Sequence, residues 1–190
     1  MSAGAPALST LQAASPKDAT SSTVGLLERE NQNATGYLTG QALVAELAQE
    51  LATLAQSGEQ CTVLYVQIDH QNELQAALGV ERITALQHEL ASLVGNLLKE
   101  GTDLPGHWHE GFAIVLPRTN ASIANNLAEQ IRITAANLGP DDTDHRSTLS
   151  IGIASAPDNG NSADLLLNSA REAALRAESE GGNSIRQFGN

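Results

Sequence analysis

Two histidines and a glutamate crowd one polar bend of the sequence. His107, His109 and Glu110 lie close together around Trp108, the only tryptophan of the chain. Imidazoles and carboxylates are zinc and copper ligands, and an i, i+2 spacing on a strand places both rings on one face. The bend is therefore the first candidate for a chemical site. The competing interpretation is a set of exposed polar residues without a chemical role.

A second polar group follows an apolar run at 62–68. Asp69 and His70 come directly after this run, so a sheet that carries its end to the bend would add a carboxylate and a third imidazole. Two ligands alone do not make a metal site, so the interpretation depends on how the surrounding elements fold.

The elements that position these residues follow from the apolar periodicity. Amphipathic helices are predicted at 41–56, at 80–99, from Asn120 or Ser122 to Gly139-Pro140, and from Ser162 to about Ser179. Strands are predicted at 62–68, 148–155 and 184–188, and a hairpin at 104–117. The apolar stripe of the third helix is predicted to be Ile123, Leu127, Ile131 and Leu138.

This order of elements predicts an α/β sandwich, with a mixed central sheet and helices on both faces. Residues 1–24 are rich in Ala, Ser, Thr and Pro and are predicted to be a disordered tail. Residues 25–40 are predicted to form a short helix and a loop leading into the domain. The folded domain is predicted to span 41–190.

Composition excludes several classes of function. The formal charge of −12 repels polyanions, so duplex DNA, RNA and anionic membrane surfaces are poor partners. No apolar stretch approaches the roughly 18 residues that cross a bilayer, and the beginning of the chain does not have the pattern of a secretory signal. Cys61 is the single cysteine, so no disulfide framework exists, and we expect it to be a small buried residue. A cytoplasmic protein is the expectation.

Five groups of residues, in order along the chain, match the motifs of one family. They are Thr35-Gly36 with Ala42-Leu43, Ile68-Asp69-His70 with Gly79, the run 112–117, the run 150–154, and the series Ala170, Ala173, Ala177, Gly181 and Asn183. On these residues the chain resembles the GGDEF domain, the diguanylate cyclase fold of bacterial signalling proteins, from about residue 32 to 189. The resemblance implies a nucleotidyl-cyclase-like sandwich that carries a signature hairpin.

The resemblance also assigns roles to single positions, and most of these are changed in this chain. The five signature positions, which in the family are two glycines, two acidic residues and a phenylalanine, are Trp108, His109, Glu110, Gly111 and Phe112. Only the third keeps the metal-binding and catalytic acid, so Glu110 is a vestigial catalytic candidate. The other metal-binding aspartate falls at Gln67, and Asp69 fills a position that is not the main ligand in the family.

The nucleotide-binding positions implied by the resemblance have changed as well. The guanine-reading asparagine falls at Gln75, the acid that assists it at Thr84, and the phosphate-holding lysine and arginine at Glu178 and Gly182. Glu178 places an anion where the family needs a cation against triphosphate. The resemblance therefore implies a degenerate GGDEF-like domain without a nucleotide site or a cofactor. We expect it to be a regulatory or protein-interaction module that does not make cyclic di-GMP.

The alternative is residual binding of GTP or cyclic di-GMP, or weak diguanylate cyclase activity, centred on Glu110. Mg²⁺ would then be the cofactor, and Glu110 and Asp69 would be the residues used. The candidate ligands for a metal site at the bend are Asp69, His107, His109 and Glu110. The expected partner is another signalling protein. A homodimer is compatible with the resemblance, because family cyclases work as two facing domains.

Trp108 allows two interpretations. Its indole ring either packs into the volume that a guanine would fill, or it forms part of an exposed patch for a partner protein. Packing is the favoured interpretation.

Overall fold

The computed structural model describes residues 36–136, 138 and 147–189. The predicted tail at 1–24 and most of the predicted helix and loop at 25–40 lie outside these residues. Gly139 and Pro140 also lie outside them. The first family-like motif is therefore described from Gly36 onward.

The predicted first helix is confirmed as α1 (Gly40–Ser57). The Thr39 hydroxyl caps its beginning by accepting a hydrogen bond from the backbone N–H of Ala42 at 3.4 Å. Gly58 ends the helix at a φ of 71°, a left-handed conformation that glycine adopts without strain. The buried face of the helix carries Leu43, Leu47, Leu51 and Leu54.

Nine further helices and strands follow in the described residues. In chain order they are β1 (Cys61–Ile68), α2 (Gln71–Leu78), α3 (Val80–Leu97), β2 (Leu104–Trp108), β3 (Gly111–Pro117), α4 (Ala121–Ala135), β4 (Leu149–Ala156), α5 (Ala163–Ser179) and β5 (Ile185–Gln187). The predicted hairpin and the two long strands are confirmed. The last strand is shorter than predicted at both ends.

The five strands form one mixed sheet in the order β2-β3-β1-β4-β5. The central strand β1 pairs antiparallel with β3 and with β4, and β2 pairs antiparallel with β3. Only β4 and β5 run parallel. Strand β1 is therefore central in the sheet, and every residue along it is buried, in agreement with its continuous apolar run.

Helices cover both faces of this sheet, as predicted. On one face α2, α3 and α4 pack over the alternate β1 residues Leu64, Val66 and Ile68. On the other face α1 and α5 pack over Val63 and Tyr65. The sheet thus separates two apolar clusters, and the side-chain alternation of β1 assigns its residues to one or the other. Cys61 is buried in the second cluster, as expected.

Helix α2 was not predicted. It is only eight residues long, and Leu74 is its one buried side chain, so it carries too little apolar periodicity to be recognised. His70 precedes it at a φ of 52°, in the left-handed region, and turns the chain sharply from β1 into the helix. This turn places the beginning of α2 beside the end of β1.

The predicted stripe of α4 is partly wrong. Ile123 is 54% exposed, whereas Ala124, Ala128, Ile131 and Ala135 form the buried face. Small alanine side chains let the helix pack closely on the sheet, and a search for large apolar residues overlooks them. The helix also ends at Ala135, before the predicted stop at Gly139-Pro140.

Gly152 brings α5 close to β4. A β-carbon at this position would lie 1.9 Å from the Ala170 carbonyl oxygen and 2.5 Å from the Ala174 backbone nitrogen. Only glycine allows this approach, since any side chain would force the helix away from the sheet. The close packing also brings the end of α5 near the ends of the strands.

Among the described residues, the helices are too short or too polar to cross a membrane.

Candidate functional site

The bend joins β2 and β3 through two residues. Trp108 pairs with Gly111 across the hairpin, so His109 and Glu110 form the connecting turn. His109 has a φ of 51°, a conformation that glycine adopts at lower cost, and both turn side chains are exposed. The backbone at position 109 therefore has a conformation suited to glycine, although the residue there is histidine.

Gly111 lies against the buried strand β1. A β-carbon at this position would lie 2.5 Å from the Val66 carbonyl oxygen and 2.8 Å from the Tyr65 hydroxyl oxygen. Burial raises the pKa of Tyr65 to about 12, so its hydroxyl stays protonated against the bend. The fourth signature position therefore has no room for a side chain in this structure.

Glu110 faces Arg171 of α5. The shortest distance between a guanidinium nitrogen and a carboxylate oxygen is 3.5 Å. A hydrogen bond from its own backbone amide lowers the pKa of Glu110, and the Arg171 guanidinium lowers it further. The carboxylate is thus ionised at neutral pH and already has a cation beside it.

A cleft of about 380 Å³ opens next to the bend. Because Val66 pairs with Phe112, the following residues of β1 run past the bend and form the floor of the cleft. The beginning of α2 and the last turns of α5 form its walls. The charged and polar side chains that line it include Gln67, His70, Glu73, Glu110, Arg171 and Glu178.

Glu178 is held on this floor by two donors. The Gln67 side-chain nitrogen Nε2 donates to its Oε2 at 2.5 Å, and the backbone N–H of His70 donates to its Oε1 at 2.7 Å. The two positions that the resemblance assigned to a metal-binding aspartate and a phosphate-holding lysine are therefore in direct contact. In this chain the contact joins the Gln67 amide to the Glu178 carboxylate, where the resemblance implies an aspartate and a lysine.

Asp69 has a structural role in this fold. It is only 2% exposed, and its Oδ2 accepts hydrogen bonds from the Thr148 hydroxyl at 2.6 Å and the Asn183 backbone N–H at 2.7 Å. Gly182, at a φ of 70°, passes so close that a β-carbon would lie 2.8 Å from the same oxygen. Asp69 thus ties β1 to the loop before β5.

The structure separates the two histidines of the bend. His107 packs its ring against Phe112 at 4.9 Å and Tyr37 at 6.0 Å between centroids, and burial lowers its pKa. His109 instead packs edge-on against Trp108 at 5.1 Å. Across 36–136, 138 and 147–189, His, Cys, Asp and Glu form no group of three that could hold a metal ion. The candidate ligands Asp69, His107, His109 and Glu110 are therefore not brought together as a ligand set.

Trp108 packs on the face of the sheet that α1 covers. It is half-buried against the second apolar cluster, and its indole Nε1 is buried without a hydrogen-bond partner among the described residues. Gln75 and Thr84, the positions matched to guanine recognition, are exposed on α2 and α3, which cover the opposite face. The indole ring of Trp108 therefore packs against the protein. It lies on the opposite face of the sheet from Gln75 and Thr84, so it does not fill a volume next to those two residues.

Sequence reasoning missed the two contacts that shape the bend. Arg171 lies on α5 between Ala170 and Ala173 of the family-like series, and nothing in the sequence distinguishes it from Arg176 on the same helix. Tyr65 lies in the predicted strand at 62–68 and is buried in the core. Its hydroxyl contact with Gly111 could not be predicted, because it depends on the pairing of β1 with β3.

Comparison with known proteins agrees with this geometry. The family model described as "Diguanylate cyclase, GGDEF domain" matches residues 33–184. A comparison with curated protein sequences gave no match.

Several solved structures share the fold. The GGDEF domain of DgcB from Caulobacter crescentus, solved with c-di-GMP, is 20% identical with a TM-score of 0.76, over 85% of this chain and 95% of that one. Diguanylate cyclase SiaD from Pseudomonas aeruginosa, solved with its activator SiaC, is 21% identical with a TM-score of 0.78. The match covers 90% of this chain and 66% of that one. The active GGEEF domain of a diguanylate cyclase from Vibrio cholerae is 20% identical with a TM-score of 0.71. The match covers 79% of this chain and 96% of that one.

At these identities the solved structures show the fold alone. The family follows from the family model, which matches most of the sequence. The five-stranded mixed sheet, the helices on both faces and the two-residue bend between β2 and β3 are in keeping with that match. The chain belongs to the GGDEF domain family.

Proposed function

We propose that this GGDEF domain does not make cyclic di-GMP and instead regulates another protein through its bend. The observation that carries the proposal is the contact between Gln67 and Glu178, 2.5 Å between Nε2 and Oε2. At Gln67 the cleft offers an amide N–H where Mg²⁺ would need an anionic oxygen. At Glu178 it offers a carboxylate where a triphosphate would need a cation.

The signature bend supports the same proposal. Gly111 leaves no acid at the fourth position, and the Tyr65 hydroxyl occupies the space that a side chain there would need. Glu110 keeps the acid of the third position, but its nearest charged partner is Arg171. We therefore regard the domain as degenerate in its chemistry while its fold is retained.

The bend also offers a surface to a partner. His109 and Glu110 are exposed at its tip, and Trp108 is half-buried beside them. Aromatic side chains with a partly exposed face are common anchors at protein interfaces. SiaD, which shares this fold, was solved with an activator protein, which supports a protein partner for this chain as well.

The first test is turnover of GTP. The purified chain is incubated with GTP and either Mg²⁺ or Mn²⁺, and cyclic di-GMP is measured by chromatography. We expect no product above the level of a reaction without protein. Steady turnover that disappears in Glu110→Ala would contradict the proposal and assign catalysis to that carboxylate.

Residual nucleotide binding is the second candidate function. It is favoured by Glu110, an ionised carboxylate that lines the cleft and supplies the anionic oxygen that a nucleotide-bound Mg²⁺ would need. Calorimetry with GTP and with cyclic di-GMP, each with Mg²⁺, tests it directly. Heat of binding that is lost in Glu110→Ala would support this candidate, whereas the absence of heat at millimolar ligand would eliminate it.

The partner is sought with the bend variants Trp108→Ala and His109→Ala. Proteins captured from the native cell by the unaltered chain are compared with those captured by each variant. The control is Ile133→Ala, which removes a large apolar side chain that is 54% exposed on α4, away from the bend. We expect a specific partner to be lost with the bend variants and retained with the control. Equal loss in all three would contradict a role of the bend.

A further inference from the structure

An open groove of about 680 Å³ lies between α3 and α4, the two long helices on one face of the sheet. Three leucines that are only partly buried line it, namely Leu93 and Leu97 of α3 and Leu138 beyond the end of α4. Ser92 and Asn96 of α3 are exposed along it. Among the described residues, the groove shares none with the cleft beside the bend, so it is a separate feature of the surface.

The chain enters the domain on the opposite side of α3. Tyr37 is only 4% exposed, and its hydroxyl donates a hydrogen bond to the Ala91 carbonyl oxygen at 2.7 Å. Ala91 and Leu93 are two positions apart on the helix, which places them about 200° apart around its axis. The described part of the chain begins at Gly36, so the residues before it leave the domain beside α3.

The outer surface of α3 connects this entry point with the groove. His88 lines the groove, and His107 packs its ring at 6.0 Å from the ring of Tyr37. Burial lowers the pKa of His107, and the nearby His88 lowers it further, so the two sides of the helix are close together. An α-helix with its side chains is only about 10–12 Å across.

The residues before Gly36 can cross that distance. Leu27 lies nine residues before Gly36, and a chain of that length spans up to about 30 Å when it is extended. Leu26 and Leu27 stand together, close to Val24, and they are the last large apolar residues before Tyr37. Docking of these two leucines therefore closes a shorter loop than docking of Leu8 or Leu11 would, at a lower cost in entropy.

The other neighbouring segment does not suit the groove. Residues 139–146 adjoin Leu138, but their sequence, Gly-Pro-Asp-Asp-Thr-Asp-His-Arg, contains no large apolar side chain. The formal charge of −12 also makes a polyanion a poor occupant of any surface of this chain. An apolar segment of the chain itself, next to the entry point, is the occupant that fits the leucines.

We propose that residues 24–27 dock in the groove between α3 and α4, with their two leucines against the three leucines that line it. The driving force is the removal of these apolar side chains from water. A partner protein that uses the groove would then have to displace the segment first. This inference goes beyond the proposed function, since it involves no residue of the bend or of the cleft.

The experiment is a cross-linking measurement on the full chain. Glu28→Cys, next to the two leucines, is combined either with Asn96→Cys at the groove or with Gln49→Cys, which is exposed on α1 over the other face of the sheet. Cys61 does not compete, because it is 1% exposed and burial raises the pKa of its thiol to about 12. A short bis-maleimide is added at low protein concentration, and the cross-linked peptides are quantified by mass spectrometry.

We expect the cross-link to position 96 to form at least about tenfold faster than the cross-link to position 49, because docking raises the effective concentration of one thiol beside the other. Leu26→Ser with Leu27→Ser should abolish this difference. Leu8→Ser with Leu11→Ser is the matched control, since it makes the same two changes further from the domain, and it should keep the difference.

Four results would overturn the docking: equal rates at positions 96 and 49, a difference that survives in Leu26→Ser with Leu27→Ser, an equal loss in the matched control, or a product with the mass of two chains. The last result would assign the groove to a second copy of the chain. None of these measurements depends on cyclic di-GMP or on capture of a partner by the bend, so failure of the docking and failure of the proposed function can be told apart.

Discussion

At the scale of single residues, Gly111 is where the bend and the buried strand β1 come closest. The space that a side chain would need at this position is occupied by the Val66 carbonyl and the Tyr65 hydroxyl. A β-carbon would lie less than 3 Å from both. One of these neighbours is backbone and the other is a ring buried in the core. Neither can move without disturbing the sheet, so glycine is required here by packing.

Gly111→Ala should therefore destabilise the domain by about 1–3 kcal/mol, the range observed when a well-packed interior is overfilled. The free energy of unfolding is measured by urea titration. The control is Gly95→Ala on α3, where a β-carbon would meet nothing within 4 Å. That change should stabilise by about 0.5–1 kcal/mol, because alanine replaces glycine in a helix. A Gly111→Ala variant as stable as the control would contradict the packing argument.

His107 gives a prediction on pH. Burial lowers its pKa in the folded state, so between that value and the ordinary histidine pKa of about 6.5 the unfolded chain binds more protons. Stability should consequently fall as the pH drops through and below about 6.5, and this contribution should be absent above it. In His107→Gln the fall between pH 7.5 and 5.5, measured by urea unfolding, should be shallower than in the unaltered chain. Parallel curves for the two proteins would rule out His107 as a source of the pH dependence.

At the scale of elements, the helices differ in how their first turns are satisfied. The Asn120 side-chain oxygen accepts a hydrogen bond from the Ile123 backbone N–H at 2.9 Å and caps α4. Ser162 occupies the corresponding position before α5 without a side-chain cap hydrogen bond. Asn120 and Ser162 are both of residue types favoured at helix N-caps, but only Asn120 forms a side-chain cap hydrogen bond here.

Asn120→Ala should cost about 1 kcal/mol of stability, because it leaves one backbone N–H of α4 without its acceptor. Ser162→Ala, the matched control, should change stability by only a few tenths of a kcal/mol, since no cap bond is lost. Thermal unfolding of both variants under the same conditions makes the comparison. Equal losses would mean that the Asn120 cap bond contributes nothing.

The elements also show what a single sequence can predict. Helix α1 and strand β1 were predictable because large apolar residues repeat along them at the helical period or in a continuous run. Helix α2 was not, because one buried leucine carries no period, and the buried face of α4 was misjudged because it is built from alanine. The contacts of Glu178 with Gln67 and His70 join positions more than one hundred residues apart, which no local pattern encodes.

At the scale of the whole molecule, the cleft is assembled from four parts of the fold. The end of β1 contributes Gln67, the beginning of α2 contributes Glu73, the bend contributes Glu110, and the last turns of α5 contribute Arg171 and Glu178. A substitution in one part leaves the residues of the other three unchanged. The chemistry of the site is therefore a property of the tertiary structure and not of the signature alone.

Restoring glycine at the first two signature positions should accordingly not create a cyclase. The double variant Trp108→Gly with His109→Gly is expected to fold and to form no cyclic di-GMP from GTP and Mg²⁺, since Gln67 and Glu178 are unchanged. Circular dichroism checks the fold and chromatography measures the product. Turnover in this variant, with none in the unaltered chain, would show that the bend alone suppresses activity.

The position of Trp108 has a practical consequence. As the only tryptophan of the chain, half-buried at the bend, it is the source of the protein's indole fluorescence. Its emission reports the polarity around the bend without labelling and without a signal from other parts of the fold. A ligand or protein that binds at the bend should shift this emission while the circular dichroism stays constant, so binding can be titrated on the unmodified protein.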